Sequence, residues 1–297
     1  MSRLPPWIRI KWATHGDYAK VHNLVSGLGL NTVCQDAKCP NIHECWNQGT
    51  ATFMILGELC TRTCGFCAVK AGKPEVFDDD EPRRVVDAAM SMALRHVVVT
   101  SVARDDLTDG GASIFAETIR ELKRRIPEAT VEVLVPDFGG VDTSLRTVLE
   151  ASPDVLNHNI ETVRRLQSTI RPMASYGRSL HLLAASAARR PRVAVKSGIM
   201  LGLGEQEDEI VETLRDLRDA GCNLLTIGQY LAPSGRHVKV ARYVPPEEFD
   251  RYARIAKDLG FDALASGPMV RSSYRAEDLL STFRKKKRCV PACSEKP

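Results

Sequence analysis

Two groups of cysteines carry the chemistry this sequence can do. The run Cys60-Thr61-Arg62-Thr63-Cys64-Gly65-Phe66-Cys67 has a C-x3-C-x2-C spacing. Three thiolates this close can hold one small metal centre. A structural zinc is normally closed by four ligands in paired units, so a triad that stops at three leaves a coordination position open. A four-iron cluster held by three thiolates has one iron free for a further ligand, and Phe66 beside the last cysteine can shield it. Zinc stays the alternative on spacing alone. Upstream, Cys34-Gln35-Asp36-Ala37-Lys38-Cys39-Pro40-Asn41-Ile42-His43-Glu44-Cys45 gives C-x4-C-x5-C, again three thiolates with loops that fit one cluster. His43 is a candidate fourth donor, although a lone histidine in such a loop more often bonds backbone or faces water.

The chain has 297 residues, enough for one large core. Nine cysteines with six between Cys34 and Cys67 point to metal rather than disulfides, given an N-terminus without an apolar leader. That end reads as untargeted, and a cytoplasmic location is expected. No apolar run nears the roughly 20 residues of a membrane span. The run Arg284-Lys285-Lys286-Lys287-Arg288 alone carries five positive charges, more than the whole net charge of +4. The body therefore makes no case for nucleic-acid binding, and the tail reads as a solvated basic end.

Elements must position these thiols. Residues 1–50 show little strand signal beyond a short helix expected over Tyr18 to Val25, and look like an appendage. From Thr52 onward, apolar runs suited to buried strands alternate with amphipathic stretches. The strands expected are Thr52 to Gly57, His96 to Thr100, Thr130 to Pro136, Asp154 to Asn157, Arg192 to Met200 and Leu224 to Gly228. Between and after them, helices are expected over Pro82 to Ala93, Ser113 to Arg125, Ser144 to Ala151, Ser179 to Ala187, Glu207 to Ala220 and Pro246 to Gly260. Six such units imply a parallel sheet with right-handed crossovers, as a partial barrel or a doubly wound sheet. In either, the loops after the carboxyl ends of the strands hold the site, and the second cysteine triad follows the first strand.

The C-x3-C-x2-C spacing with Phe66 resembles the signature of the radical S-adenosylmethionine (SAM) superfamily. Both triads in this order, with Thr61-Arg62, resemble the lipoyl synthase family. So do Thr100-Ser101-Val102-Ala103-Arg104-Asp105-Asp106-Leu107, Asp109-Gly110-Gly111, Asn157-His158-Asn159-Ile160-Glu161-Thr162, Lys196 through Glu205, and Gly267-Pro268-Met269-Val270-Arg271-Ser272-Ser273-Tyr274. The likeness covers about residues 30 to 278, and the pairing of the upstream triad with Arg-Ser-Ser-Tyr is specific.

The resemblance implies an α/β fold, a partial (β/α)6 TIM-type barrel at 51–265, with an N-terminal auxiliary-cluster extension at 1–50 and a C-terminal closing segment at 266–297. It implies two 4Fe-4S clusters and SAM. Cys60, Cys64 and Cys67 would hold the SAM cluster. Cys34, Cys39, Cys45 and, as fourth ligand, Ser273 would hold an auxiliary cluster that donates its own sulfide, and a serine oxygen, a weaker ligand than a thiolate, suits a cluster that must come apart. The implied reaction adds two sulfurs to an octanoyl group on a lysine of a lipoyl carrier domain. Carriers would be dehydrogenase-complex acyltransferase subunits or the glycine cleavage H protein, with ferredoxin or flavodoxin as reductant.

Further candidates follow from position. Phe66 can line the adenine of SAM. Thr100 and Ser101, with Arg104 and Asp106 in the same polar loop, are candidates to touch SAM or substrate. Asn157, Asn159 and Glu161 can bind its ribose or methionine portion, or equally cap the next helix. Gly202-Leu203-Gly204-Glu205 lacks a dinucleotide fingerprint, and Gly202 is expected in a loop against SAM. Ser272, in a segment read as extended, would point away from Ser273. Cys222 reads as a small buried residue, and Cys289 and Cys293 as spectators in the tail.

Overall fold

Each of the six apolar runs becomes a strand paired in parallel with the next. The computed structural model describes residues 4–10, 18–48, 50–74, 78–190 and 192–288. The chain begins with helix α1 (Tyr18–Gly27), strand β1 (Asn31–Thr32), and short helices α2 (Val33–Asp36) and α3 (Ile42–Asn47). It then enters β2 (Thr52–Ile55), β3 (Leu59–Cys60), β4 (Lys70–Ala71), α4 (Glu81–Ser91), β5 (His96–Ser101), α5 (Ala112–Arg125), β6 (Thr130–Leu134), α6 (Asp142–Glu150) and β7 (Val155–Asn157). After α7 (Gln167–Ile170) and α8 (Tyr176–Arg189) come β8 (Ala194–Leu201), α9 (Glu207–Asp219), β9 (Leu224–Gln229), α10 (Pro246–Asp258), β10 (Ala263–Gly267) and α11 (Ala276–Arg288).

The main sheet runs β1-β2-β5-β6-β7-β8-β9-β10, open between its two ends. All neighbours are parallel except β1, which lies antiparallel on β2 with Asn31 opposite Met54. The N-terminal extension is thus stitched into the same sheet as the barrel. A separate pair, β3 with β4, brackets the second triad and sets Cys60 opposite Ala71.

Helices cover the outside. Val85, Val86, Ala88 and Ala89 of α4 and Ile114, Phe115, Ile119 and Leu122 of α5 are buried at helical spacing. Each large side chain fully buried this way contributes about 1.5–3 kcal/mol. Ends are fixed locally: Ser175 caps α8, Gln206 and Glu209 form a capping box on α9, and Asp109 accepts the N–H groups of Gly111 and Ser113 as α5 begins.

Two elements were not expected. β10 adds a seventh parallel strand, so the sheet continues past residue 265, and its sequence Ala-Leu-Ala-Ser-Gly lacks the β-branched residues that marked the others. The basic run, exposed to solvent as expected over Arg284 to Lys287, is helical rather than a loose tail and forms the end of α11. Leu279, Leu280 and Phe283 share one face of that helix and pack on Val155, Ala194, Leu224 and Ala263, the first or second residues of four strands. Arg284 pairs with Asp154 at 2.6 Å and Lys286 with Asp262 at 3.3 Å. The helix therefore seals the underside of the barrel. Cys289 and Cys293 lie outside the described residues. Among those residues, no helix is long and apolar enough to cross a membrane.

Candidate active site

The loop carrying Cys60, Cys64 and Cys67 is clamped from several sides. Thr61 N–H donates to Ala103 O at 3.0 Å, and the Thr61 hydroxyl donates to Asp105. The Arg62 guanidinium grips the Asp105 carboxylate at 2.8 and 2.6 Å and also reaches Asp137 at 2.6 Å, which Arg178 holds from the far side at 3.0 Å. Burial works against the charge on Arg62, but the two carboxylates outweigh it and hold the guanidinium more firmly protonated than usual. At the other end of the loop, Gly65 N–H donates to Ile170 O and Val238 N–H to Gly65 O, both at 2.9 Å. His237 Nε2–H donates to Cys67 O at 3.0 Å while its Nδ1 faces Ser234 at 2.9 Å. The sulfur of Cys60 accepts the N–H groups of Arg62 and Ala103, each at 3.4 Å.

The upstream triad is built on β1 and the two short helices after it. Thr32 caps α2 through Gln35 N–H, which fixes Cys34, and Cys39 N–H returns to Cys34 O at 3.0 Å. His43, the candidate fourth donor, stacks on Tyr18 with ring centroids 5.0 Å apart. What comes to this triad is the segment after β10. Asn41 donates to Met269 O at 2.7 Å and the Tyr274 hydroxyl to Glu44 at 3.2 Å. The Thr52 hydroxyl donates to Ser273 Oγ at 2.9 Å, and the Thr52 backbone, close enough to oppose the upward shift of the Cys34 thiol pKa, lies beside that thiol. This segment is a turn rather than the expected extended stretch, with Tyr274 N–H bonded to Arg271 O at 3.0 Å. Its two serines still diverge. Ser272 Oγ accepts from Asn157 at 2.8 Å and donates to Asn159 at 3.0 Å, away from the thiols.

One cavity of about 1510 Å³ joins the two triads: Cys34, Cys39, Cys45, Cys60, Cys67 and Ser273 contribute wall, and Cys64 does not. Of the expected SAM contacts, Phe66, Thr100, Ser101, Asn159 and Glu161 reach it. Phe66 packs with Ile170, Leu203 and Tyr230. Ser101 Oγ is buried without a hydrogen-bond partner, and a ligand in the cavity would satisfy it. Glu161 sits at φ +68° and takes a bond from Asn159 at 3.0 Å; burial raises its pKa, and Arg171 opposes this.

Two of the expected residues are not in this wall. Asn157 is buried, donating to Glu132 at 3.0 Å and to Ser272 at 2.8 Å, and its Oδ1 is left without a hydrogen-bond partner. Gly202 is not in the wall either. It lies at φ +100° where a Cβ would fall 2.2 Å from Gln229 Nε2 and 2.5 Å from Arg242 O, so its glycine serves packing between β8 and the 242 loop. In the polar loop after β5, Arg104 and Asp106 pair with each other at 2.9 Å. His237, Val238, Ile170 and Asp137, which hold the triad loop, carried no local signal.

Burial raises the thiol pKa values. Cys67 and Cys45 are pushed up to about 12 and Cys34 to about 11, each further raised by other thiols of its own triad. Such thiols ionise only when a metal displaces the proton. Among the described residues no three histidine, cysteine or acidic side chains are grouped as ligands of one metal ion. A four-iron cluster takes its thiolates at separate corners, and the two sets of three thiols, the upstream one with the Ser273 hydroxyl on the same cavity, fit such a group.

The radical SAM superfamily model matches residues 54–217. The lipoyl synthase of Caldanaerobacter subterraneus subsp. tengcongensis is 55% identical over 95% of this chain and 99% of its own length. That of Pyrobaculum arsenaticum is 55% identical over 94% and 95%. Among solved structures, the hydrogenase maturase HydG aligns with a TM-score of 0.57 at 12% identity over 77% of this chain and 53% of its own. Coproporphyrinogen III oxidase from Escherichia coli, a radical SAM enzyme, aligns with a TM-score of 0.50 at 12% identity, over 69% and 51%. At such identity these two speak for the fold alone.

Proposed function

The chain belongs to the lipoyl synthase family of the radical SAM superfamily, and we propose that its two triads divide the family's reaction between them across the shared cavity. The enzyme is a radical SAM sulfurtransferase that inserts two sulfur atoms, at carbons 6 and 8 of an octanoyl group on a lysine of a lipoyl carrier protein, working with two 4Fe-4S clusters and SAM. When bound, these groups supply the radical that removes hydrogen from the chain and the sulfide that takes its place.

Cys60, Cys64 and Cys67 would hold the SAM cluster, with Phe66, Thr100, Ser101, Asn159 and Glu161 as the wall available to SAM. Cys34, Cys39, Cys45 and Ser273 would hold the auxiliary cluster. The chain's own part is geometric. The Arg62 clamp and the Ile170 and Val238 backbone bonds keep one triad still. Met54, Val98 and Leu134 give the cavity an apolar stretch suited to an acyl chain, and a dry, fixed path between two centres favours transfer at the intended carbon over quenching by water. Carriers would be dehydrogenase-complex acyltransferase subunits or the glycine cleavage H protein, and a ferredoxin or flavodoxin would deliver electrons.

The observation that carries this division is the Thr52 to Ser273 bond beside Cys34, made across 221 positions of sequence. Anaerobic incubation with SAM, a strong reductant and an octanoyl-lysine peptide, followed by mass spectrometry, tests it. Changing Cys60, Cys64 and Cys67 to Ala should abolish SAM cleavage and leave roughly half the iron. Changing Cys34, Cys39 and Cys45 to Ala should preserve SAM cleavage and lose sulfur insertion. A sulfur-bearing product from that second variant would refute the donor assignment.

A further inference from the structure

Inside the barrel lies a charged cluster that neither triad uses. Lys196 on β8 is fully buried, with Nζ 2.8 Å from Glu132 Oε1 on β6. His96 on β5 approaches the other carboxylate oxygen at 3.5 Å. Asn157 on β7 donates from its amide nitrogen both to Glu132, at 3.0 Å, and to Ser272 Oγ, at 2.8 Å. The Ser272 proton then goes to Asn159 Oδ1 at 3.0 Å, and Asn159 Nδ2 bonds Glu161 at the cavity wall. Ser272 is therefore used as acceptor and donor at once. A buried ion pair gains little net stability over apolar packing, so its use lies in what it holds in place.

Gly228 gives a second, independent observation. The Val270 carbonyl crosses β9 so closely that a Cβ at position 228 would lie 2.1 Å from its oxygen and 3.1 Å from its carbon. The turn after β10 is thus seated against the strand wall just before Ser272 meets its two asparagines.

We infer that Ser272 is a positioning residue: by clasping Asn157 and Asn159 it fixes the register of the turn at 268–275 and so delivers the adjacent Ser273 to Thr52 and Cys34. The chain of bonds runs on through Asn159 to Glu161, which ties the turn to the wall on the SAM side as well. The clasp rests on the proposed ligand role of Ser273 for its purpose, but its own contacts are independent of that role.

The test uses the full chain purified anaerobically with its iron. Hydrogen exchange of the backbone amides of 269–275 should be about tenfold faster in Ser272→Ala, which loses two hydrogen bonds, with amides of α9 and α10 unchanged. Asn157→Ala should raise exchange in the same segment, and the double variant should be no faster there than Ser272→Ala alone, since the Asn157 contact is already lost when Ser272 is removed. In the same preparations, sulfur inserted per SAM cleaved should fall severalfold in Ser272→Ala. Wild-type exchange in Ser272→Ala, or strictly additive effects in the double variant, overturns the clasp. Faster exchange in Ser272→Ala together with wild-type product from Ser273→Ala upholds the clasp and instead removes the ligand reading.

Discussion

Replacing Lys196 by Met leaves a carboxylate stranded inside the barrel. In the native protein Glu132 is fully buried; burial raises its pKa, but Lys196 first and His96 next outweigh this and hold it down to about 2, from an ordinary 4.5. At about 1.36 kcal/mol per pH unit this preference for the charged form corresponds to about 3 kcal/mol. A depressed acid contributes stability that is present above its unfolded pKa and lost as pH falls through the folded one. Without Lys196 only His96 and Asn157 face the carboxylate, and burial raises its folded pKa above 4.5. The sign then reverses: protonation relieves the cost, and stability falls as pH rises through the new folded value. Breaking a buried pair from one side costs about 3–5 kcal/mol, so that deficit should appear near neutral pH and shrink toward about pH 5. Urea denaturation of the anaerobically purified full chain across this range reads it as a shift in midpoint. Glu132→Gln combined with Lys196→Met should recover most of the loss. A deficit below about 1 kcal/mol at neutral pH, or one of equal size at both ends of the range, refutes the reasoning.

Two other outcomes are expected. Ser273→Ala should still assemble the upstream cluster but insert sulfur well below wild type, while Ser273→Cys, with a stronger iron ligand, should retain iron and turn over poorly; iron content and product yield on the peptide substrate check both, and wild-type yield from Ser273→Ala rules out the ligand. Phe283→Ala should lower stability by about 3–5 kcal/mol because it empties the underside of the barrel, whereas removing residues 289–297 should leave the melting temperature, iron content and SAM cleavage unchanged; a neutral Phe283→Ala would mean that α11 is not a seal.

Chemistry was easier to read from the sequence than geometry. The triads are written as local spacing, and the runs at 52, 96 and 130 consist of residues with few options other than a buried strand. β10 escaped notice because small residues in Ala263 to Gly267 have no pattern of their own and pair only because β9 offers an edge. In α11, Leu279, Leu280 and Phe283 are outnumbered by the charges around them, and the face they form becomes apparent only against the ends of four strands. Asn157 and Gly202 share motifs with cavity residues, but a motif does not say which of its members line a cavity and which pack behind it. The clamp on Gly65 and Cys67 comes from Val238 and His237, about 170 positions away, where a valine and a histidine carry no mark of their task.

If the upstream site depends on Ser273 as proposed, that dependence also sets an order of events during synthesis. Thr52 leaves the ribosome 221 residues ahead of the serine it meets, and Cys34, Cys39 and Cys45 leave earlier still. At about 5–20 residues per second that is a wait on the order of 10–40 s. Cys60, Cys64 and Cys67 also emerge early, but their proposed cluster asks nothing of the C-terminal turn. A nascent chain can therefore offer a finished set of donors for one cluster while the other is still one ligand short. The upstream cluster becomes the last part to be completed, and a chain released before its final strand and helix would carry the site for radical generation without the full site for the sulfur it is meant to deliver.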